Sequence, residues 1–277
     1  MLKAPINKII PFSMVDGPGS RCAIFFQGCG FACTYCHNPE TLQLCGGCGV
    51  CIDVCPTGAL KKEGTAVSWN AAVCCGCDAC IKACPNNSSP KVRWMTVDEV
   101  MDEIRPMLPF IQGITVSGGE CTLQEAFITE LFARVKELDK TTFVDTNGQK
   151  DFRLMPELTE VMDYAMLDVK AWDENAHEKL TGMKNEIVLS NLDYLARIGK
   201  LYEVRTVILP GYLSNEETVE QVSRVLSNYP DVRYKLIRFR KFGVKGELRD
   251  TPAPTDENME HLAEIARKCG VKEVVLT

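Results

Sequence analysis

Three cysteines, Cys29, Cys33 and Cys36, stand four and then three residues apart in Gln27-Gly28-Cys29-Gly30-Phe31-Ala32-Cys33-Thr34-Tyr35-Cys36-His37-Asn38. A [4Fe-4S] cubane takes one cysteine per iron, so three thiolates hold such a cluster and leave one iron open. An open position on a metal is where a reactant binds, as in catalytic zinc sites. The competing chemistry is a zinc ion completed by His37, or plain structural thiols. Zinc motifs normally come as two CxxC-type halves, and only one such spacing lies within residues 27–38.

Eight more cysteines follow in two runs. Cys45, Cys48, Cys51 and Cys55-Pro56 have the C-x2-C-x2-C-x3-C-P spacing of bacterial ferredoxins, and Cys74, Cys77, Cys80 and Cys84-Pro85 repeat it. In two-cluster ferredoxins the fourth cysteine of each run serves the other cluster. That rule groups Cys45, Cys48, Cys51 and Cys84 on one cubane and Cys74, Cys77, Cys80 and Cys55 on the other. Cys75 is an alternative ligand should the register slip, or else a free thiol. Cys22, Cys121 and Cys269 read as ordinary buried thiols. With the site cysteines this makes three [4Fe-4S] clusters, a load suited to a reducing compartment and an anaerobic or microaerobic life.

The elements that must carry these groups alternate between strand and helix. The apolar run Cys22-Ala23-Ile24-Phe25-Phe26 precedes the three-cysteine loop. Gly113-Ile114-Thr115-Val116-Ser117 ends in Gly118-Gly119-Glu120, and Thr142-Phe143-Val144 ends in Asp145-Thr146-Asn147-Gly148. Tyr164-Ala165-Met166-Leu167 runs into Asp168-Val169-Lys170. Residues 202–209 carry Arg205 in mid-strand, where an inward charge needs an anionic partner. Residues 234–239 lead into Arg240-Lys241-Phe242-Gly243. Helices are expected after a capping box at Thr96 and Glu99, from about Leu123, after Ser214, and from Asp256, with apolar faces Val97, Val100, Met101, Ile104, Leu108 and Phe127, Leu131, Val135, Leu138. A short apolar segment at 271–276 ends the chain. Six strand–helix units with polar residues at the strand C-termini predict an α/β fold, a partial (β/α)6 TIM-like barrel. Residues 39–90 are expected to be a two-cluster ferredoxin-like insert that returns through Asn86-Asn87-Ser88-Ser89-Pro90; residues 1–38 and 91–277 form the barrel.

On these residues the chain resembles the radical S-adenosylmethionine (SAM) superfamily. Asp16-Gly17-Pro18-Gly19-Ser20-Arg21 ahead of the first strand narrows the resemblance to the glycyl-radical-enzyme activating enzymes, and the insert narrows it to their YjjW-like branch. The resemblance implies that SAM chelates the open iron and is cleaved reductively to methionine and a 5′-deoxyadenosyl radical, which takes hydrogen from a glycine of a partner glycyl radical enzyme. It places Tyr35, Gly118, Gly119, Glu120, Asp145, Asp168, Lys170 and Arg205 around SAM, the GGE element at the amino group. It puts a monovalent cation, potassium or sodium, on Asp145, Thr146, Met166 and Asp168, and Asp16, Gly17, Pro18 and Gly19 against the partner's glycine loop. Arg240 stands where relatives present a histidine to the nucleoside; it stacks on adenine or donates to nucleoside acceptors, or else joins Arg238 and Lys241 in a solvated or partner-docking face. Cys121 stands where many relatives have proline. A flavodoxin- or ferredoxin-type donor and a monomeric free state are expected. A radical SAM enzyme of a small molecule would use the same motifs, and an electron carrier would leave the open-iron site idle.

The 277 residues carry a formal net charge of -6 with acids and bases interspersed. That balance gives no basic footprint for nucleic acid and no polybasic membrane patch. No apolar leader or membrane-length run is visible, so the cytoplasm is the expected compartment.

Overall fold

The computed structural model describes residues 2–241, 244 and 246–277; Phe242 and Gly243, in the expected polar end of the sixth strand, lie outside the described residues. Its strands are β1 (Lys3–Ser13), β2 (Arg21–Phe26), β3 (Leu60–Glu63), β4 (Ala66–Trp69), β5 (Arg93–Thr96), β6 (Gly113–Gly118), β7 (Thr141–Thr146), β8 (Tyr164–Asp168), β9 (Leu201–Ile208), β10 (Arg233–Arg238) and β11 (Val274–Leu276). Nine of them form one sheet in the order β11-β10-β9-β8-β7-β6-β2-β1-β5. From β2 to β11 every pairing is parallel, while β1 runs antiparallel to both β2 and β5. The helices are α1 (Val50–Asp53), α2 (Ala79–Ala83), α3 (Val97–Ile104), α4 (Glu125–Lys136), α5 (Pro156–Val161), α6 (Glu174–Thr181), α7 (Glu186–Arg197), α8 (Asn215–Leu226) and α9 (Asp256–Lys268).

The parallel strands are β-branched and aromatic runs buried on both sides, as crossover helices require. β2 is buried along its whole length. Ile24, Phe26, Ile114, Val116, Val144, Leu167 and Val204 pack in one cluster with helix residues Phe127, Leu131, Val135, Leu192, Val219 and Val222. Alternation along a strand then sends the other set, including Thr115, Ser117, Asp145 and Arg205, to the concave side. Thr96 makes the expected capping box with Glu99. Ser214 precedes α8 without a side-chain cap bond, and Leu138 lies past the end of α4 and is exposed, so the apolar stripe stops one turn early.

The sheet is wider than six units. β1 and β5 extend it by an antiparallel edge, with Pro5 opposite Trp94 and Ala4 opposite Met95. The cysteine-rich stretch thus leaves after β2 and returns to pair on the far side of β1. Its own regular structure is slight: α1 and α2 have four and five residues, and β3 and β4 form a hairpin. Cys51, Leu60 and Cys80 make its small buried cluster. A strip of chain ties it to the body. Thr41 and Leu42 carbonyls accept the Gly28 and Cys29 N–H groups at 2.8 and 3.0 Å, and Gln43 N–H donates to Asn87 at 3.1 Å.

Candidate active site

At the C-terminal ends of the parallel strands lies a cavity of about 200 Å³, where α/β barrels collect their functional residues. Cys29, Cys33 and Cys36 line it from the loop after β2, Gly118 and Gly119 from the end of β6, and Asp145, Thr146 and Asn147 from β7. Asp168 and Lys170 reach it from β8, Arg205 and Val207 from β9, and Ile237 from β10. The cysteine loop is held from below by α6, whose Thr181 and Leu180 carbonyls accept Ala32 and Thr34 N–H groups at 2.8 and 2.9 Å. Asn147 donates to Cys29 Sγ at 3.4 Å. Burial pushes the Cys29 thiol up to about 12 and Cys36 to about 11, and Cys33 also moves upward. The metal-free thiols therefore keep their protons, and cluster binding must displace them. Among the described residues no three His, Cys, Asp or Glu side chains converge on a single ion.

Close packing accounts for the two glycines. A Cβ on Gly118 would sit 2.2 Å from the Phe26 carbonyl oxygen, and one on Gly119 would sit 2.3 Å from that of Gly28. The β6 loop can lie under the cysteine loop only without side chains here. Glu120, expected with them at the SAM amino group, turns its fully buried side chain away. Its carboxylate accepts from Thr122 Oγ1 at 2.6 Å, Thr146 Oγ1 at 2.8 Å and the Asn147 N–H at 2.8 Å. Glu120 is a strut between the β6 and β7 loops.

The charged side chains are paired. Asp145 accepts from Arg205 at 2.9 Å and from Ser117 at 3.0 Å, and Lys170 meets Asp168 at 2.9 Å. Burial raises the Asp145 carboxyl to about 6 against the pull of Arg205. At Lys170 burial opposes the charge, but Asp168 and Tyr35 outweigh it and hold the ammonium above its ordinary range; the ammonium lies 5.5 Å from the centre of the Tyr35 ring. The two carboxylates thus have Arg205 and Lys170 as counter-charges. Met166 is buried beneath the cavity with its sulfur 2.9 Å from Arg205 Nη2. Arg240 is exposed and does not line the cavity; its backbone abuts His37, which does.

The Asp16-Gly17-Pro18-Gly19 loop joins β1 to the start of β2, at the opposite mouth of the lumen. The Asp16 carbonyl accepts from Thr115 Oγ1 at 2.5 Å, and its charge raises the Asp145 carboxyl. Arg21 is buried, donates to Thr115 and to the Ile114 carbonyl, and lies 4.1 Å from the Phe143 ring centre. A second cavity of about 750 Å³ opens here, walled by Pro18, Arg21, Thr141, Phe143, Tyr164 and Tyr202. In the cysteine-rich stretch, Cys45, Cys48, Cys51, Cys80 and Cys84 wall one small cavity, and Cys55, Cys74, Cys75, Cys77 and Cys80 wall another.

Several site residues escaped the sequence reading. Val207 and Ile237 line the cavity as ordinary strand residues and carry no local signal. Asn147 stood inside a motif already noted for its aspartate. Glu203, fully buried and 2.5 Å from Arg205, is the second anionic partner of that inward arginine; its position two residues before Arg205, on the same strand face, was the available clue.

Comparison with known proteins agrees with this arrangement. The pattern that defines the radical SAM superfamily matches residues 23–226. The chain is 30% identical to the indoleacetate decarboxylase activating enzyme of Tractidigestivibacter scatoligenes, over 99% of this chain and 98% of that one. It is 30% identical to the pyruvate formate-lyase-activating enzyme of Staphylococcus aureus, over 93% and 92%, and 29% identical to the choline trimethylamine-lyase activating enzyme of Oleidesulfovibrio alaskensis, over 96% of each. Among solved structures, QueE from Escherichia coli shares the fold at a TM-score of 0.57 and 12% identity, covering 100% of this chain and 95% of that one. A domain of a pyruvate-formate lyase-activating enzyme from Bacteroides vulgatus does so at 0.52 and 19%, covering 60% and 98%.

Proposed function

Because the chain belongs to the radical SAM superfamily, and within it to the activating enzymes of glycyl radical enzymes, we propose that the cavity at the strand C-termini binds SAM over a [4Fe-4S] cluster held by Cys29, Cys33 and Cys36. The observation that carries this is the gathering of three cysteines, two close-packed glycines and paired charges on one cavity. The donor set fits the group: Cys29, Cys33 and Cys36 all line the one cavity, and Asn147 already donates to one sulfur, as a neighbouring donor orients a metal ligand. When bound and reduced, the cluster supplies the electron that splits SAM into methionine and the 5′-deoxyadenosyl radical.

The residues of the chain then position and shield. Lys170 and Arg205 receive the polar parts of SAM, Tyr35 closes the wall behind Lys170, and Val207 and Ile237 give the nucleoside an apolar side. Asp145 and Asp168, with Thr146 and Met166, take a potassium or sodium ion that shares the counter-charge role of Arg205 and Lys170. Glu120 acts indirectly, by fixing Asn147 and Thr146. The partner's glycine loop approaches Asp16, Gly17, Pro18 and Gly19, and its glycine yields a hydrogen atom to the radical, leaving 5′-deoxyadenosine and a glycyl radical. Arg240, outside the cavity, serves the partner-docking face. The insert holds the other two cubanes on the cysteine sets that wall its cavities, and relays electrons from a flavodoxin- or ferredoxin-type donor in the cytoplasm.

The test is anaerobic reduction of the reconstituted protein with SAM and a candidate glycyl radical enzyme, followed by electron paramagnetic resonance. A glycyl radical signal on the partner, with 5′-deoxyadenosine formed, is expected. Turnover of SAM that leaves every glycyl radical enzyme offered unmodified and instead alters a small molecule would overturn the reading.

A further inference from the structure

A layer of charge crosses the lumen between its two cavities. β9 and β10 pair in register, with Glu203 opposite Arg233, Arg205 opposite Lys235 and Val207 opposite Ile237. Residues two apart on a strand share a face. Arg205, Val207 and Ile237 line the upper cavity, so Lys235 and Arg233 continue the same face downward. Glu203 meets Arg205 and Arg233 at 2.5 Å each, and Asp145 meets Arg205 at 2.9 Å. Three cations, Arg205, Arg233 and Lys235, thus share this layer with Glu203 and Asp145, and Arg233 also reaches the exposed Glu273 at 3.9 Å.

Of the three, Lys235 is the one with no paired carboxylate among the described residues. It is half-buried, and among the described residues no hydrogen bond or ion pair holds its ammonium. Phe242, Gly243 and Lys245, outside those residues, have no side-chain carboxylate to offer. Burial, joined by Arg205 and Arg233 and opposed by Glu203 and Asp145, depresses the Lys235 ammonium below its ordinary range. A cation held this way is stabilised by an incoming anion, and a partly desolvated ion pair is stronger than an exposed one.

We infer that Lys235 binds a carboxylate that a reactant carries into the lumen, either the methionine carboxylate of SAM from the upper cavity or an acidic side chain of the partner's segment from the lower one. The inference rests on the reading of the upper cavity as the SAM site and of the lower mouth as the partner's side. Residue 235 lies outside the cysteine, GGE, DTNG and LDVK motifs, and its role follows from strand register and an ammonium that no carboxylate among the described residues pairs.

Binding to the oxidised, cluster-loaded protein tests it without turnover. SAM and its decarboxylated analogue are titrated by equilibrium dialysis against wild type, Lys235→Gln and Lys235→Arg, and two short synthetic peptides, one with aspartate and one with asparagine beside a glycine, are titrated in parallel. If SAM supplies the carboxylate, Lys235→Gln weakens SAM about tenfold, as loss of a charge-assisted contact does, leaves the decarboxylated analogue unchanged, and Lys235→Arg restores SAM. If the partner supplies it, SAM affinity is unchanged and the preference of wild type for the aspartate peptide disappears in Lys235→Gln. Wild-type affinities in Lys235→Gln for SAM and for both peptides, with iron content intact, would overturn the inference. Failure of wild type itself to bind SAM would instead remove the SAM reading of the upper cavity, and the peptide pair still decides the role of Lys235.

Discussion

The barrel and the cysteine-rich stretch after β2 hold cysteines in two different ways. Cys29, Cys33 and Cys36 sit on a loop pinned to α6, β6 and β7 by hydrogen bonds, over a sheet whose core is continuous from β1 to α9. The eight insert cysteines sit on short helices and loops around a buried cluster of Cys51, Leu60 and Cys80, and Cys45, Cys48 and Cys77 are exposed. So small an apolar cluster cannot offset the entropy of ordering some forty residues, and domains of this size need metals or disulfides. On this difference the barrel is expected to keep its fold without metal, and the cysteine-rich stretch to lose its own.

The largest effect expected from this difference follows chelation. Removing iron anaerobically should bring amide exchange across residues 45–84 close to that of an unfolded chain, while β6, β7, β8 and β9 keep their protection. Hydrogen-exchange mass spectrometry reads both, and equal loss in barrel and insert would erase the distinction. Next in size, Cys29→Ala should abolish SAM cleavage and leave the paramagnetic signals of the insert clusters in place, since the ligand sets share no residue.

Chemistry was more legible in the sequence than its supports. Cys29, Cys33, Cys36, Asp145, Asp168, Lys170 and Arg205 were readable because each is a chemically unusual residue at the end or inward face of an apolar strand, and the structure brings all seven to one cavity. The side-chain bonds of Glu120 were unread because its partners Thr146 and Asn147 are more than twenty residues away and no local pattern records such a bond. β1 was unread because Pro5 and Pro11 interrupt its alternation, and β5 because four residues between a polar loop and a capping box leave no periodicity to detect. Both are held by pairing with each other, a long-range fact.

The supports yield the intermediate effect. Glu120→Ala removes a buried acceptor from the Thr122 and Thr146 hydroxyls and the Asn147 N–H, and should lower stability by about 2–4 kcal/mol, with Tm falling accordingly. Glu63→Ala, on the insert hairpin, should stay within about 0.5 kcal/mol. Similar losses would mean that the insert is as tightly built as the barrel.

The smallest effect concerns pH. The Asp145 carboxyl, raised to about 6 by burial, is charged above that value and neutral below it. Its folded-state preference for the proton means that its contribution to stability falls as pH rises from the ordinary carboxylate range through about 6. SAM affinity that depends on a monovalent cation should weaken severalfold between pH 7.5 and pH 5, and Asp145→Asn should bind with little pH dependence and little response to potassium. An unchanged pH profile in the variant would remove the cation from Asp145.

The contrast between barrel and insert rests on clusters held by separate ligand sets, and iron and sulfide analysis with Mössbauer spectroscopy tests it most directly. Wild type should hold about twelve irons in three cubanes, and a variant with Cys29, Cys33 and Cys36 all replaced by alanine about eight. About four irons in wild type and none in the variant would contradict it.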